Sequence, residues 1–578
     1  MPSYAVNYLA KWRNYHLTAA GTYVSAQPPS DAGATVRELA ELHAADLGGL
    51  AGNAMFAGAA APLQALLRHL DQRLDVPVHP LRRQPYPASC GLMGQGWSFS
   101  DIVAAGDLLV DLDGLAGIAP VVAADMHPAS PLSPERLAMV LGGTRLREIV
   151  NWGAPRGLSL STSGTHLGPT IAGSAATASH GSRLGAGGVQ NLIRGMHMVV
   201  GGARSVWIEP AHTPVFSDAA ARQFADTVER DDQLFNDALV HLGAMGIVSG
   251  VVIDMVPDDL FLWRFGFSCP SRGWLDDIVA GRFDKIAMDH ALAGNPAFYE
   301  VTINPFAWDT SEAIHSFYLP TAPIAAGTPT AGGPIERDFI ASAIKQFDAV
   351  QSADGASAVH VPNASIFDLY RAEVDARIAS GDLTAPRTWR DLHEDVITGG
   401  LPGALWNASF AVPRERLPDV VPIICAASHG CLPTFLYTIR FVSNAAGTLA
   451  FTRWPETAII EIDGASCHAP GGLGQYGGEI IKGCRQLRAA LDAANIPYMM
   501  HWAKLGDLDA PRVAANFGQP TTAFPDALDR IERWRRSRDK LLGNDRMRGL
   551  FWNEAVVRYG LIDRPPPPPP PPKLPGES

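Results

Sequence analysis

The stretch from Gly142 to Gly181, GGTRLREIVNWGAPRGLSLSTSGTHLGPTIAGSAATASHG, restricts what this chain can fold into more than any other part of it. The pattern predicts a short helix over residues 144–152, then a loop of Gly, Ser and Thr with almost no charge. The small residues Thr170-Ile171-Ala172-Gly173 and the closing Ser179-His180-Gly181 follow. Glycine and other small residues let a backbone approach a ligand closely and aim its N–H groups at anionic oxygens. An ordinary flexible loop would carry Lys, Asp or Pro and would lack this density of alanine. Upstream, Gly91–Ile102 (GLMGQGWSFSDI) places Gly-x-Gly and a serine after a short apolar lead. That arrangement suits a loop wrapping a pyrophosphate through backbone donors.

Four spaced matches, Gly143-Thr144-Arg145-Leu146-Arg147, Arg156-Gly157-Leu158-Ser159-Leu160, Thr170-Ile171-Ala172-Gly173 and Ser179-His180-Gly181, resemble the second flavin-contacting segment of the vanillyl-alcohol-oxidase (PCMH-type) FAD enzymes. The chain is most similar to their alditol oxidase and aldonolactone oxidase branch. Asp231-Asp232-Gln233-Leu234-Phe235 and Leu242–Val248 resemble the segments that close the FAD domain there, so the likeness is continuous over residues 91–256. Further matches are Trp12-Arg13-Asn14-Tyr15 near the start, Ala411-Val412-Pro413-Arg414-Glu415 for F-V-P-R-E, and His501-Trp502-Ala503-Lys504 for H-W-G-K. Asp545–Asn553 matches the closing D-x-x-x-x-F-x-N with one extra residue.

The resemblance implies an α+β fold: a two-lobed PCMH-type FAD-binding domain with its N-terminal helical region over 1–256, and an α+β substrate domain with a large antiparallel sheet over 257–510. A return to the FAD domain over 511–562 and a Pro-rich tail over 563–578 complete the expected division. The implied cofactor is FAD, held by Gly94, Gln95, Gly96, Trp97, Ser98, Gly164, Thr165, Thr170, Gly173, Thr177, Ala178, Ser179, His180, Ile247 and Lys504. Trp97 stands where the family's loop carries the histidine that bonds to the flavin. Indole cannot form that linkage, so non-covalent FAD is expected, and Cys90 is the nearby alternative nucleophile. Gly164 falls at the position that the family places beside the flavin's oxygen-reactive carbon, where glycine leaves room for dioxygen and alanine is associated with dehydrogenases.

A net charge of −12 argues against a nucleic-acid partner, because a phosphate-binding surface needs a basic excess. The Arg533–Arg538 cluster reads as the solvated face of a charged helix. The start lacks the apolar core and cleavage pattern of a signal peptide, and no stretch reaches about 18 uncharged apolar residues, so no membrane span is expected. Six cysteines (Cys90, Cys269, Cys425, Cys431, Cys467 and Cys484) lie scattered without a C-x-x-C pair. That distribution suggests reduced thiols in a cytoplasmic protein. Cys425, His429 and Cys431 lack the second pair a metal site needs, and no metal is expected. Helical periodicity runs over residues 36–75, with prolines at 77, 80, 85 and 87 breaking the chain after it. Strands are expected at 107–115, at 191–210 as a pair, and at 436–442 and 458–462, with a long helix at 478–494. Residues 321–334 read as a loop or lid.

Lys504 is the expected pocket cation; the alternative is a surface lysine at a strand end. Arg440, in Tyr437-Thr438-Ile439-Arg440, resembles the family's S-E-I-R strand and would point into the pocket with Lys504. Thr438 replaces that motif's Glu, so the acidic partner is missing from the motif. Glu461 and Asp463, two apart on a strand, share one face. Inward, one of them could serve as base; outward, both are solvated edge charges. His180 and His501 read as structural, and His429 and His468 as residues of loops near the pocket. The resemblance implies an oxidoreductase acting on a small-molecule alcohol with dioxygen as acceptor. Alternatives are a dehydrogenase, a tailoring enzyme on an amine, sterol or aromatic alcohol, or a flavin-binding protein without turnover.

Overall fold

A computed structural model describes residues 4–9, 16–25, 50–73, 90–103, 108–269, 272–321, 335, 363–393, 404–429, 436–466 and 474–565. Trp12–Tyr15, the prolines at 77–87, residues 36–49 of the helical periodicity, the loop beyond Thr321, Cys431, Cys467, His468 and the proline run from 566 onward lie outside those residues.

The fold is α+β. Residues 108–254 hold a six-stranded sheet in the order Thr227–Arg230, Arg204–Glu209, Ile193–Gly201, Ile247–Asp254, Leu137–Leu141, Ile118–Pro120. All its pairs are antiparallel except the first. Leu137–Leu141 (LAMVL) is buried at every position, as expected of a strand covered on both faces. The helix Gly52–Arg73 packs on it through Met55, Phe56, Ala59, Leu63, Leu66 and Leu67. That spacing makes one apolar stripe. Gly250 is required there: a Cβ would lie 2.5 Å from the Phe56 ring. A second sheet of four strands takes in Cys90–Met93 and Leu108–Asp111 and leads directly into the Gly94–Ser100 loop.

An eight-stranded antiparallel sheet follows, ordered Arg387–Thr388, Leu260–Ser268, Ala313–Pro320, Phe298–Ile303, Leu436–Ser443, Glu456–Ser466, Ala404–Pro413, Met499–Met500. Its central strands alternate between two unlike faces. Val301, Ile303, Ile439, Phe441, Ile460, Ile462, Ala408 and Phe410 are buried on one. The helices Leu417–Ser428 and Phe283–Asp289 cover that face: Ser428 Oγ bonds the Tyr437 hydroxyl, and the Phe283 ring packs on Phe441. The other face carries Glu300, Thr302, Thr438, Arg440, Glu461, Asp463, Asn407 and Ser409. Register sets Thr302 opposite Thr438, Thr438 opposite Glu461, and Ser409 and Asn407 opposite Glu461 and Asp463. A polar band therefore crosses four adjacent strands.

The helix expected at 144–152 is Leu146–Gly153; it begins later because the Glu148 carboxylate accepts the Arg145 N–H at 2.7 Å and caps its start. Sequence reasoning misjudged the Arg533–Arg538 cluster. On the helix Ile531–Leu542, Arg538 is 6% exposed and donates to the carbonyls of Ala244, Arg548 and Phe551, and Arg535 donates to those of Gly560 and Leu561. Carbonyls left free at the ends of the helices Asp545–Leu550 and Glu554–Arg558, and in the turn at Ala244, draw these guanidiniums inward. Among the described residues, no helix is long and apolar enough to cross a membrane.

Candidate active site

The polar band faces a long cavity where four segments meet. One is the Gly94–Ser100 loop, tied to the turn after Met499–Met500: Phe99 and Ser100 N–H donate to Ala503 O at 2.7 and 3.1 Å, and Ser100 Oγ donates to Trp502 O at 2.9 Å. The second is the Gly164–Gly181 stretch. There Thr170 caps the helix Ile171–Ala176, its Oγ1 accepting the Gly173 N–H at 3.3 Å. The loop and this helix touch so closely that a Cβ on Gly94 would sit 2.4 Å from Thr170 Oγ1. Side chains of the sheet and of the 501–504 turn supply the third and fourth walls.

Most of the residues lining the cavity are uncharged. Gly94, Gln95, Gly96, Trp97, Ser98, Gly164, Thr165, Thr170, Gly173, Thr177, Ser179 and His180 all line it. Trp97 packs against His166, ring centroids 5.4 Å apart. Ala178 and Ile247 do not line it. Ile247, at the start of its strand, turns its side chain into the core, so the next residue, Val248, faces the cavity instead. Ala178 is fully buried with φ 57°, behind Ser179 and His180.

Charge gathers at one end. Lys504 Nζ bonds Glu461 Oε2, Ser409 Oγ donates to that same oxygen at 2.8 Å, and His180 Nε2 approaches Glu461 Oε1 at 3.1 Å. Arg440 bonds Glu300 through Nε at 3.0 Å and Thr165 Oγ1 through Nη1 at 2.7 Å. Asn407 Nδ2 donates to Asp463 Oδ1. Burial alone would raise the Glu461 carboxyl, but Lys504, His180 and Arg440 together hold it well below its ordinary value. The reverse holds for Asp463: burial, then the neighbouring Glu461 charge, push it up to about 7. Burial lowers His180, His501 and Lys504, the last against the pull of Glu461. For Arg440 burial works against the charge, but Glu300, Glu461 and Asp463 outweigh it and the guanidinium is held more firmly protonated than usual.

Several expectations meet a definite geometry here. Both strand carboxylates turn inward. Lys504 lies in the cavity rather than on a surface strand end. The missing acidic partner of Arg440 is present after all: Glu300 lies across the sheet from it on Phe298–Ile303, while Thr438 instead bonds Thr302 at 3.1 Å. Glu300 carried a signal, a lone charge in an otherwise apolar FYEVTI strand. Asn407, His166 and His241 also line the cavity without a sequence signal that marks them, as does Asn553 of the closing motif. His429 is not at the site; it is exposed at the end of Leu417–Ser428, against Phe306. Cys90 is buried, and burial pushes its thiol up to about 12, which leaves it without thiolate to attack anything. Among the described residues no cluster suits a metal ion.

No protein-family model matches the chain. Over 165 residues, 28% of this chain, it is 28% identical to L-gulono-1,4-lactone dehydrogenase from two strains of Mycobacterium tuberculosis. The match spans 31% of that protein, about a third of its length. Among solved structures, a cholesterol oxidase from Brevibacterium sterolicum superposes with TM-score 0.59 at 14% identity, over 96% of this chain and 97% of that one. A solvent-stable cholesterol oxidase gives 0.59 at 13% identity over 97% and 98%. The chain therefore shares the fold of these oxidases.

Proposed function

We propose that this chain is an FAD-dependent oxidoreductase of the PCMH type that binds FAD without a covalent bond and oxidises an alcohol-bearing small molecule, with dioxygen as electron acceptor. The observation that carries the reading is one cavity in which two glycine-rich segments converge with Lys504, Arg440 and Asp463, the two cations held by Glu461 and Glu300. The residues fit the cofactor. The Gly94–Ser98 and Thr170–Gly173 backbones offer an uncharged cradle for a pyrophosphate. Ser174 Oγ lines it, buried, with no partner among the described residues. Trp97 occupies the linking position, and Cys90 is closed off by burial.

Bound FAD supplies a hydride acceptor. The chain's own residues have three tasks. Asp463, open to the cavity and held near neutrality, takes the substrate's hydroxyl proton at a carboxylate oxygen. Lys504 and Arg440 offset the negative charge that builds on the substrate oxygen as its proton leaves. Glu461 and Glu300 hold those two cations in place rather than meeting substrate. The matched relatives are named as a dehydrogenase and an oxidase, both oxidoreductases, which supports the class. The division into an FAD domain over 1–256, a substrate domain over 257–510 and a return over 511–562 belongs to the same proposal. So does a cytoplasmic location, in keeping with the free Cys90, Cys269, Cys425 and Cys484.

The experiment is anaerobic addition of alcohols followed by air: a substrate should bleach the flavin, and air should restore it with release of hydrogen peroxide. Gly164 makes the acceptor testable. A Cβ there would meet nothing closer than His166 O at 3.8 Å, so Gly164→Ala leaves the fold intact while filling the space above the loop. Gly164→Ala should slow reoxidation by dioxygen and leave flavin reduction unchanged. Equal reoxidation rates in rapid mixing would favour the dehydrogenase reading.

A further inference from the structure

His241 lines the cavity and is 5% exposed. It precedes a tight turn at Leu242 (φ 52°) and Gly243 (φ 73°). Three side chains from the C-terminal part of the chain hold that turn by alternate carbonyls. Trp534 Nε1 donates to Val240 O at 3.1 Å, Asn553 Nδ2 to Leu242 O at 3.4 Å, and Arg538 Nε to Ala244 O at 2.9 Å. The Leu242 N–H donates to Ala176 O at 3.3 Å, which sets the turn against the end of the helix Ile171–Ala176.

The Gly243 N–H donates to His241 Nδ1 at 3.1 Å. Nδ1 is therefore the acceptor, and the neutral ring carries its proton on Nε2. Burial pushes the ring down to about 4, so it stays neutral at physiological pH. Nε2 is itself buried and meets no acceptor among the described residues. A donor so placed is costly to leave unpaired, and the lining it shares with Ser174 Oγ points to a ligand as its partner. Of the other histidines lining the cavity, His180 and His501 stand at the Lys504–Glu461 cluster, whereas His241 sits on the turn whose Leu242 N–H meets Ala176 O. His241 thus lines the cavity beside Ser174, Ala176 and Thr177, on its glycine-rich side.

We infer that the His241 Nε2–H is a direct hydrogen-bond donor to the adenosine-diphosphate half of bound FAD, in a turn that the C-terminal segment holds in place. The inference rests on the FAD reading above. Its test is equilibrium dialysis of the full chain against FAD and, separately, FMN. His241→Asn keeps an acceptor where Nδ1 meets the Gly243 N–H but has no donor at the Nε2 position. It should raise the Kd for FAD about 10-fold, the loss of one hydrogen bond, and leave that for FMN unchanged. His241→Gln, whose amide reaches the Nε2 position, should stay within about 3-fold of wild type. Wild-type FAD affinity in His241→Asn would overturn the inference, and so would an equal loss for FMN, which would mark a purely structural role for the turn. A wild-type chain that binds no FAD would overturn the functional reading and this inference with it.

Discussion

Asp463→Asn should lower the rate of substrate-driven flavin reduction by about 10² to 10⁴, the usual contribution of a positioned general base, while FAD still binds. Two carboxylates sit two residues apart on the strand Glu456–Ser466, and their surroundings divide their work. Glu461 is 1% exposed, engaged by Lys504, Ser409 and His180, and held well below its ordinary value. Its oxygens face Lys504, Ser409 and His180, and it is not among the residues lining the cavity. Asp463 is open to the cavity, takes one hydrogen bond from Asn407, and is raised to about 7 by burial and by Glu461. Pushing apart two neighbouring carboxyls in this way is how a site obtains a base that works near neutral pH. A base acts when deprotonated, so the wild-type reduction rate should rise with pH through about 7 and level off above it. The Asn variant should lose that rise. Stopped-flow reduction on both sides of neutrality decides it; an unchanged rate with an unchanged profile would remove Asp463 from the chemistry.

Lys504→Met should lower flavin reduction by about 10² to 10³, the value of a charged donor aimed at transition-state charge. It should also destabilise the protein by about 3–5 kcal/mol, because Glu461 would remain buried without its cation. The two effects separate in a double variant: Glu461→Gln added to Lys504→Met should recover most of the stability and none of the rate. The pH dependence has a definite sign. Glu461's folded pKa lies well below 4.5, so the ion cluster's contribution is fully present above about 4.5 and is lost only as pH falls toward the folded value. Arg440→Met should cut the rate similarly or raise the substrate concentration required, since Arg440 also holds Thr165 of the glycine-rich stretch. Thermal melts with single-turnover reduction check both halves. A Lys504→Met protein that reduces its flavin at the wild-type rate would place the reactive end elsewhere.

Much of the fold was legible because its signals are local. The strand pair expected at 191–210 falls on Ile193–Gly201 and Arg204–Glu209, and those at 436–442 and 458–462 fall on Leu436–Ser443 and Glu456–Ser466, because a few consecutive apolar residues suffice to mark each. The α+β class and the large antiparallel sheet came from the resemblance. The direction of Glu461 and Asp463 was not legible. Period two puts them on one face, but Ile460 and Ile462 are as buried as the face they oppose, so polarity along the strand does not say which side holds a cavity. Glu300 escaped for a different reason: its partner Arg440 lies 140 residues away, and only the register between Phe298–Ile303 and Leu436–Ser443 brings them together. His241 belongs to no motif, and its significance comes from a tautomer that a backbone N–H sets. Ile247 shows how a one-position offset on a strand turns a side chain from the cavity to the core, where Val248 beside it lines the cavity.

The most direct measurement is the fate of flavin when the purified protein is denatured. The protein should be yellow, with one FAD per chain, and acid or heat should release all of it as free FAD into the supernatant, because Trp97 cannot form a covalent link and the Cys90 thiol is buried. Protein that purifies and refolds without taking up FAD, or flavin still fluorescing on the denatured chain, would contradict the account.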